Sequence, residues 1–337
     1  MQFEPEIVKL LNRKDLSSKE SKDLFSAAFQ GRLNETELKT LLLLLAEKGE
    51  TFQEVAGAVS ALKEQEPPQS ISIQHLMDTC GTGGDGSHSI NVSTLSALVI
   101  AGAGGKVAKH GNRGISSKCG SSDLLEALGV RLDSGSGKMM AAIQKFGIGY
   151  FHAPYHHPVF SKMQPLRKKL GTRTLFNLLG PLSNPVSVHI QLVGVSRPEY
   201  VSLFANVLAC HKNYRALVCH SSDGLDEIST LKPTRYGWVQ NGKIRYGIID
   251  PKKLGFKQQT NKVTAGTVKA NVSIAKQILK NRFRGTFRDL VVINAGAGLW
   301  ISGIAGNLKE GIQKADYSIT SGKALSALKG LIKVSNS

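Results

Sequence analysis

The sequence predicts an α/β protein: a small all-helical N-terminal domain, then a larger α/β domain with a mostly parallel central sheet. Three observations predict it. Residues 1–66 carry apolar residues at helical spacing behind three N-terminal capping signals. Pro67-Pro68 closes that stretch. Beyond it, short apolar runs alternate with helical segments, with glycines at the joins. We expect the boundary at 66/67, with the prolines as a hinge or linker.

The capping signals pair Ser17 with Glu20, Asn34 with Glu37 and Thr51 with Glu54. In each, the short side chain accepts from an orphan helix N–H and the glutamate reaches back. Behind Thr51, Phe52, Val55, Ala56, Val59 and Leu62 fall on one helical face. In the second part, IQLVGV (190–195), ALVCH (216–220) and LVVINA (290–295) read as buried strands. Asn241-Gly242, between alternating segments in 235–250, predicts a hairpin.

A length of 337 residues suits two or three domains, and 41% hydrophobic with 20% charged residues is a globular composition. The longest apolar run, LLLLLA (41–46), is far too short to span a membrane. The start, MQFEPEIVKLLNRKD, lacks the features of a signal peptide, so a cytoplasmic location is expected. Cys80, Cys119, Cys210 and Cys219 form no CxxC pair and read as reduced thiols. The formal charge of +18 favours anionic partners. No run of five basic residues occurs and aromatics are sparse, so the excess reads as a solvated lysine face and nucleic acid is not expected.

Three clusters carry chemistry. CGTGGDGSHSINVST (80–94) is a glycine-rich loop feeding an apolar helix. Its backbone N–H groups, the helix dipole and the polar groups of Ser89, Asn91, Ser93 and Thr94 suit a phosphate. Asp85 would repel phosphate unless it meets a sugar, an N–H or a cation. The loop is neither a P-loop nor GxGxxG. In KVAKHGNRGISSKCGSSDLLEALG (106–129), a short strand leads into a cationic, hydroxyl-rich loop and then a helix capped by Ser122 or Asp123 and ended by Gly129. Both loops would face one ligand at the carboxyl edge of the sheet. DGLDEIS (223–229) places Asp226 and Glu227 after a strand. On their own they fit a helix N-terminus as well as a metal. Beside two phosphate-type loops in a chain poor in acid, they favour a metal that also binds substrate phosphates.

GTGGDG, NVST, KHGNR, SSKCGSSDLLEALG, RKKLGTRTLFNLLGPLSNP and DGLDEIS, in this order, closely resemble the anthranilate phosphoribosyltransferases, from about residue 15 to 330. The resemblance implies a helical domain completed by a segment near 160–180, a phosphoribosyl pyrophosphate (PRPP)-binding α/β domain and an active site in the cleft between them. It implies transfer of phosphoribose from PRPP to the amine of anthranilate in tryptophan biosynthesis, magnesium (Mg2+) as cofactor, and a homodimer formed through the helical domain. By the matching motifs, Gly81, Gly84, Asp85, Ser89, Asn91, Val92, Ser93, Thr94 and Ser121 would contact PRPP. So would Lys109, His110, Gly111, Asn112, Arg113, Gly114, Ile115, Ser116 and Ser117. Ser93, Asp226 and Glu227 would hold magnesium; Gly81, Asn112 and Arg167 would contact anthranilate, with His110 and His157 lining its path. His156 and His157 lack a third ligand nearby and make a weak zinc signal.

Lys109 and magnesium would stabilise the departing pyrophosphate, and no general base is evident. Three positions depart from the resemblance: Lys269 where an acid is usual, Cys119 for serine and Ile90 for an aromatic. The competing readings are a pyrimidine nucleoside phosphorylase-like enzyme and a nucleic-acid-binding relative with a degenerate site.

Overall fold

The computed structural model describes residues 3–86, 89–114, 118–257 and 265–337. The chain opens with α1 (Glu4–Leu11), α2 (Ser18–Phe29), α3 (Glu35–Lys48) and α4 (Phe52–Gln65). Ser17, Asn34 and Thr51 each accept from the backbone of the glutamate three residues on, whose carboxylate accepts from the cap's own N–H. Next come β1 (Leu76–Gly81), α5 (Val92–Gly102), β2 (Lys106–Gly111), α6 (Ser121–Ala127), α7 (Ser136–Phe146), β3 (Ile148–His152) and α8 (Ala153–His156). The helices α9 (Pro158–Leu170) and α10 (Leu175–Leu179) follow. The chain continues with β4 (Ile190–Gly194), α11 (Glu199–Ala209), β5 (Arg215–Ser221), β6 (Thr234–Gln240) and β7 (Lys243–Ile249). It ends with α12 (Val268–Leu279), α13 (Thr286–Ile301), α14 (Leu308–Thr320) and α15 (Lys323–Ser335).

Two compact units result: Met1–Gln69 with Pro154–Pro185, and Ser70–Ala153 with Val186–Ser337. In the helical unit, α9 and α10 add Phe160 and Phe176 to Phe25 and Phe29 of α2, with Phe176 edge-on to both Phe25 and Phe160. Glu54 is fully buried here. Besides capping α4, its carboxylate accepts from the Leu16 N–H at 2.9 Å and from Lys48 Nζ at 3.0 Å.

In the α/β unit one sheet runs in the order β3-β2-β1-β4-β5-β6-β7. Its first five strands in that order are parallel, and β6 and β7 are antiparallel. The hairpin turns at Asn241 and Gly242, both with positive φ, which matches the right-handed twist of its strands. Parallel pairing brings the carboxyl ends of β1, β2 and β5, and the loops after them, to one edge of the sheet.

Two expectations are corrected. LVVINA is not a strand but the middle of α13, where Leu290 to Leu299 are buried without a break. A helix enclosed on every side loses its polar stripe, so its apolar run looks like that of a central strand. Nor does Ser122 or Asp123 occupy the cap of α6. Gly120 does, and Asp123, at the third helical position, accepts from the N–H groups of Gly120 at 2.8 Å and Gly114 at 2.9 Å.

The multiple role of Glu54 sets a stability prediction. Glu54→Ala strands the buried Leu16 N–H, while Lys48 keeps Asp15 at 2.7 Å and the Gly49 carbonyl at 2.9 Å. The expected loss is about 1–3 kcal/mol. It should appear as faster amide hydrogen exchange through α2 and α4, with exchange in the β-strands unchanged.

Candidate active site

The first loop leaves β1 at Gly81 and turns through Gly83 and Gly84 at φ of 63° and 72°, a region open to glycine. It enters α5, where the Val92 N–H donates to the Ile90 carbonyl at 2.8 Å. Asn91, just before the helix, does not cap it with its side chain. That amide donates instead to the Cys119 carbonyl at 2.8 Å, and the Asn91 N–H donates to Asn271 Oδ1 at 3.0 Å. Asn91 thus ties the first loop to the second and to α12. The Ser93 N–H is satisfied by a carboxylate from far along the chain, Glu227 Oε1, at 3.1 Å. Ser89 Oγ donates to the Ile90 carbonyl. Ile90, Val92 and Thr94 are buried.

The second loop leaves β2. Lys109, 2% exposed, reaches under the first loop and donates Nζ to the Thr79 carbonyl at 2.6 Å and to Ser93 Oγ at 3.4 Å. His110 is buried, and its N–H donates to Asp78 Oδ1 at 3.2 Å. The Asn112 carbonyl accepts from the Ser122 N–H at 3.2 Å and Ser121 Oγ at 3.3 Å. Arg113 turns onto α6, where it forks onto Glu126 at 2.7 and 3.0 Å and touches Asp123 at 3.2 Å. Its charge is thus matched within the protein. Ile115, Ser116 and Ser117 lie outside the described residues.

The third loop follows β5. Asp226 Oδ2 accepts from the Gly83 N–H at 3.0 Å, and the Asp226 N–H reaches Asp85 Oδ2 at 3.4 Å. A methyl group on Gly194, at the end of β4, would lie 1.5 Å from the Asp226 carbonyl oxygen, so the loop rests directly on that glycine. Asn294 of α13, fully buried, holds the loop from beneath, accepting from the Ile228 N–H and donating to its carbonyl, both at 2.9 Å. Sequence reasoning missed Asn294. Its one signal was an amide inside the apolar run LVVINA.

The structure therefore brings together Ser93, Lys109, Asp85, Asp226 and Glu227 from three loops. Desolvation raises the Asp226 carboxyl above its usual range, and the charge of Asp85 adds to the rise. Desolvation also raises Glu227, reinforced by Asp226 and opposed by Lys109. Burial lowers the Lys109 ammonium, and Asp78, Cys80 and Glu227 hold it back up. Acid exceeds base in this cluster, and one lysine does not neutralise it. Hard oxygen donors whose ionised form lacks enough positive charge nearby fit a divalent magnesium ion. Among the described residues no three His, Cys, Asp or Glu side chains would hold a metal by themselves. Such a site would draw further oxygens from its ligand.

The remaining predicted residues lie in the helical unit. Arg167 of α9 is half-buried. Desolvation lowers its guanidinium. Both ring nitrogens of His157 meet protein partners, Nδ1 the Glu66 carboxylate at 2.7 Å and Nε2 the Ser183 carbonyl at 2.6 Å. Burial and these bonds make His157 a brace within that unit.

Comparison with known proteins follows the same division. The α/β domain of the glycosyl transferase family matches residues 73–325, and that family's helical bundle domain matches residues 5–65. Over 336 residues the chain is 42% identical to the anthranilate phosphoribosyltransferase of Desulfosudis oleivorans, covering 99% of each sequence. The chain belongs to the anthranilate phosphoribosyltransferase family. The Thermus thermophilus member has a solved structure that superposes with a TM-score of 0.91 at 35% identity, covering 98% of this chain and 99% of that one. The Saccharomyces cerevisiae member, solved in complex with PRPP and Mg, superposes with a TM-score of 0.86 at 25% identity, over 99% of this chain and 98% of that one.

The contact at Gly194 generates a prediction. Gly194→Ala must push Asp226 away from Gly83. A displacement near 1 Å at a positioning group costs on the order of 100-fold in rate. Steady-state turnover should fall by about that factor while hydrogen exchange in β4 and β5 keeps its protection.

Proposed function

We infer that this chain transfers the 5-phosphoribosyl group of PRPP to the amino group of anthranilate, yielding N-(5-phosphoribosyl)anthranilate and pyrophosphate, a step of L-tryptophan biosynthesis. The observation that carries the reading is the meeting of Ser93 with Glu227 and Lys109, joining all three loops at one edge of the sheet.

In the reaction the anthranilate nitrogen forms a bond to the anomeric carbon as the carbon–oxygen bond to pyrophosphate breaks. Pyrophosphate leaves with the electron pair, and the amine releases one proton. An aromatic amine is already neutral near pH 7, so positioning matters more than a strong base. At the glycine turn, phosphate oxygens would approach the backbone closely because Gly83 and Gly84 carry no side chains. Lys109 would place its ammonium against the leaving group. Asn112 and Ser121 would fix the substrates beneath the second loop. Arg167 would offer its planar fork to the carboxylate of anthranilate, a partner that suits a half-buried, desolvated guanidinium.

Asp226, Glu227 and Ser93 would hold magnesium. Bound there, the ion supplies charge neutralisation to the pyrophosphate oxygens. No helix among the described residues is long and apolar enough to cross a membrane. A cytoplasmic homodimer associating through the helical unit, where Val8, Leu11 and Leu43 are exposed, fits this reading.

The deciding experiment mixes the protein with PRPP, magnesium and anthranilate and follows loss of anthranilate fluorescence with matching pyrophosphate release. Absence of both sinks the reading. Asp226→Asn with Glu227→Gln should abolish turnover and yet raise the melting temperature of the metal-free protein, because two raised carboxyls lose their burial penalty. The pH sign follows. The folded protein holds protons at these carboxyls that the unfolded chain has released. Their contribution is fully present below the usual carboxylate range and is lost as pH rises through the raised folded values. Metal-free stability should therefore fall over that window, and the double variant should flatten the fall.

Arg167→Ala should raise KM for anthranilate by about 10–100-fold, the worth of a charged hydrogen bond, with kcat changed far less. Equal KM values in variant and wild type would remove Arg167 from the site.

A further inference from the structure

Beneath the second loop, polar groups with no part in the proposed reaction lead to Ser121 and Asn112. Tyr150 and His152 stand two residues apart on β3, so both side chains project to one face of the sheet. Ser121 and Ser122 open α6. His152 Nδ1 lies 2.8 Å from Ser122 Oγ, which lies 2.6 Å from the Tyr150 hydroxyl, which lies 3.1 Å from Ser121 Oγ. Ser121 Oγ then donates to the Asn112 carbonyl at 3.3 Å. Tyr150, Ser122 and His152 are at most 5% exposed.

Burying such groups costs free energy that hydrogen bonds only offset, and a phenyl ring would fill the space of Tyr150 without that cost. Packing therefore does not account for the hydroxyl. The chain also dictates its neighbour on β2. A methyl group on Gly111 would lie 2.0 Å from Ser121 Oγ and 2.9 Å from the Tyr150 hydroxyl oxygen, so the strand must end in glycine to seat on it.

We propose that Tyr150 and His152, acting through Ser122 and Ser121, are positioning residues that set the orientation of the Ser121 hydroxyl and the Asn112 turn for PRPP. This rests on the reading that Ser121 and Asn112 meet that substrate. Each hydroxyl carries a single proton, so Ser122 donates to only one of its two neighbours. The order of donors along the chain is thereby coupled from the imidazole to Ser121. Without the Tyr150 hydroxyl, Ser121 loses the partner that fixes its rotamer.

Tyr150→Phe keeps the ring and deletes the link. The experiment measures kcat, KM for PRPP and melting temperature for wild type, Tyr150→Phe, Ser121→Ala and the double variant. Loss of one hydrogen bond predicts a rise in KM for PRPP of about 3–10-fold, with kcat within about twofold. In the Ser121→Ala background the same change should add less than about twofold, because the two act as a unit. A purely structural tyrosine would lower melting temperature and active fraction while leaving KM alone, and would act equally in both backgrounds; either result overturns the proposal. Should Tyr150→Phe not fold, Ser122→Ala removes the middle link and carries the same expectation. A wild-type chain that turns over no PRPP would bring down the reading of the site and this inference with it, whereas an active wild type with a silent Tyr150→Phe overturns this inference alone.

Discussion

Glu227 carries a conflict around which the α/β unit is arranged. Its carboxylate satisfies the first turn of α5 through the Ser93 N–H, and it does so in a desolvated place beside a second carboxylate. Desolvation and the charge of Asp226 both disfavour its ionisation. Lys109 relieves part of that cost, but that ammonium is itself buried and already donates to the Thr79 carbonyl. The fold tolerates the imbalance because Gly83 and Ser93 supply N–H donors to the two acids and because the third loop cannot retreat. Gly194 lies against it on one side and Asn294 binds its backbone from another. Such a site is built for a cation together with an anionic ligand, which is the chemistry inferred for it.

The loops that meet there are stitched more firmly than glycine-rich sequences suggest. Asn91 joins the first to the second through the Cys119 carbonyl and to α12 through Asn271. Asp123 clamps both margins of the second by accepting from Gly114 and Gly120. Arg113, expected at the ligand, spends its guanidinium on Glu126 and Asp123 and so adds to that clamp. Two of the residues that depart from the family pattern fall inside this stitching. Ile90 is buried beside Val92, and the Cys119 sulfur and carbonyl both accept from Asn91. They bear on how the loops are held, one step removed from the reacting atoms.

Which features the sequence disclosed depended on range. The three capping boxes span three residues each, and the Asn241-Gly242 turn is defined by two, so local chemistry sufficed. Strands β4 and β5 were legible as short apolar runs because a parallel sheet covered on both faces needs no alternation. The same reasoning failed at LVVINA, since enclosure erases the helical period as well as the strand period. The site was legible as three clusters of residue types but not as a geometry. Ser93 and Glu227 lie 134 positions apart, and nothing local announces that a glutamate will reach that helix. The roles of Asn294, Tyr150 and His152 stayed hidden for the same reason.

The surplus of positive charge has a structural side. Only 25 acidic residues stand against 43 Lys and Arg. Many of those acids are bound to backbone N–H groups: Glu54 to Leu16, Glu66 to Val159, Asp78 to His110, Asp123 to Gly114 and Gly120, Asp226 to Gly83, and Glu227 to Ser93. Each caps a helix or pins a loop, and several are buried. A carboxylate keeps its charge in such a bond, so the positive field comes from the excess of Lys and Arg over acids. Both proposed substrates are anions. A surplus of positive charge raises their local concentration and encounter rate within a Debye length of about 8 Å at physiological salt.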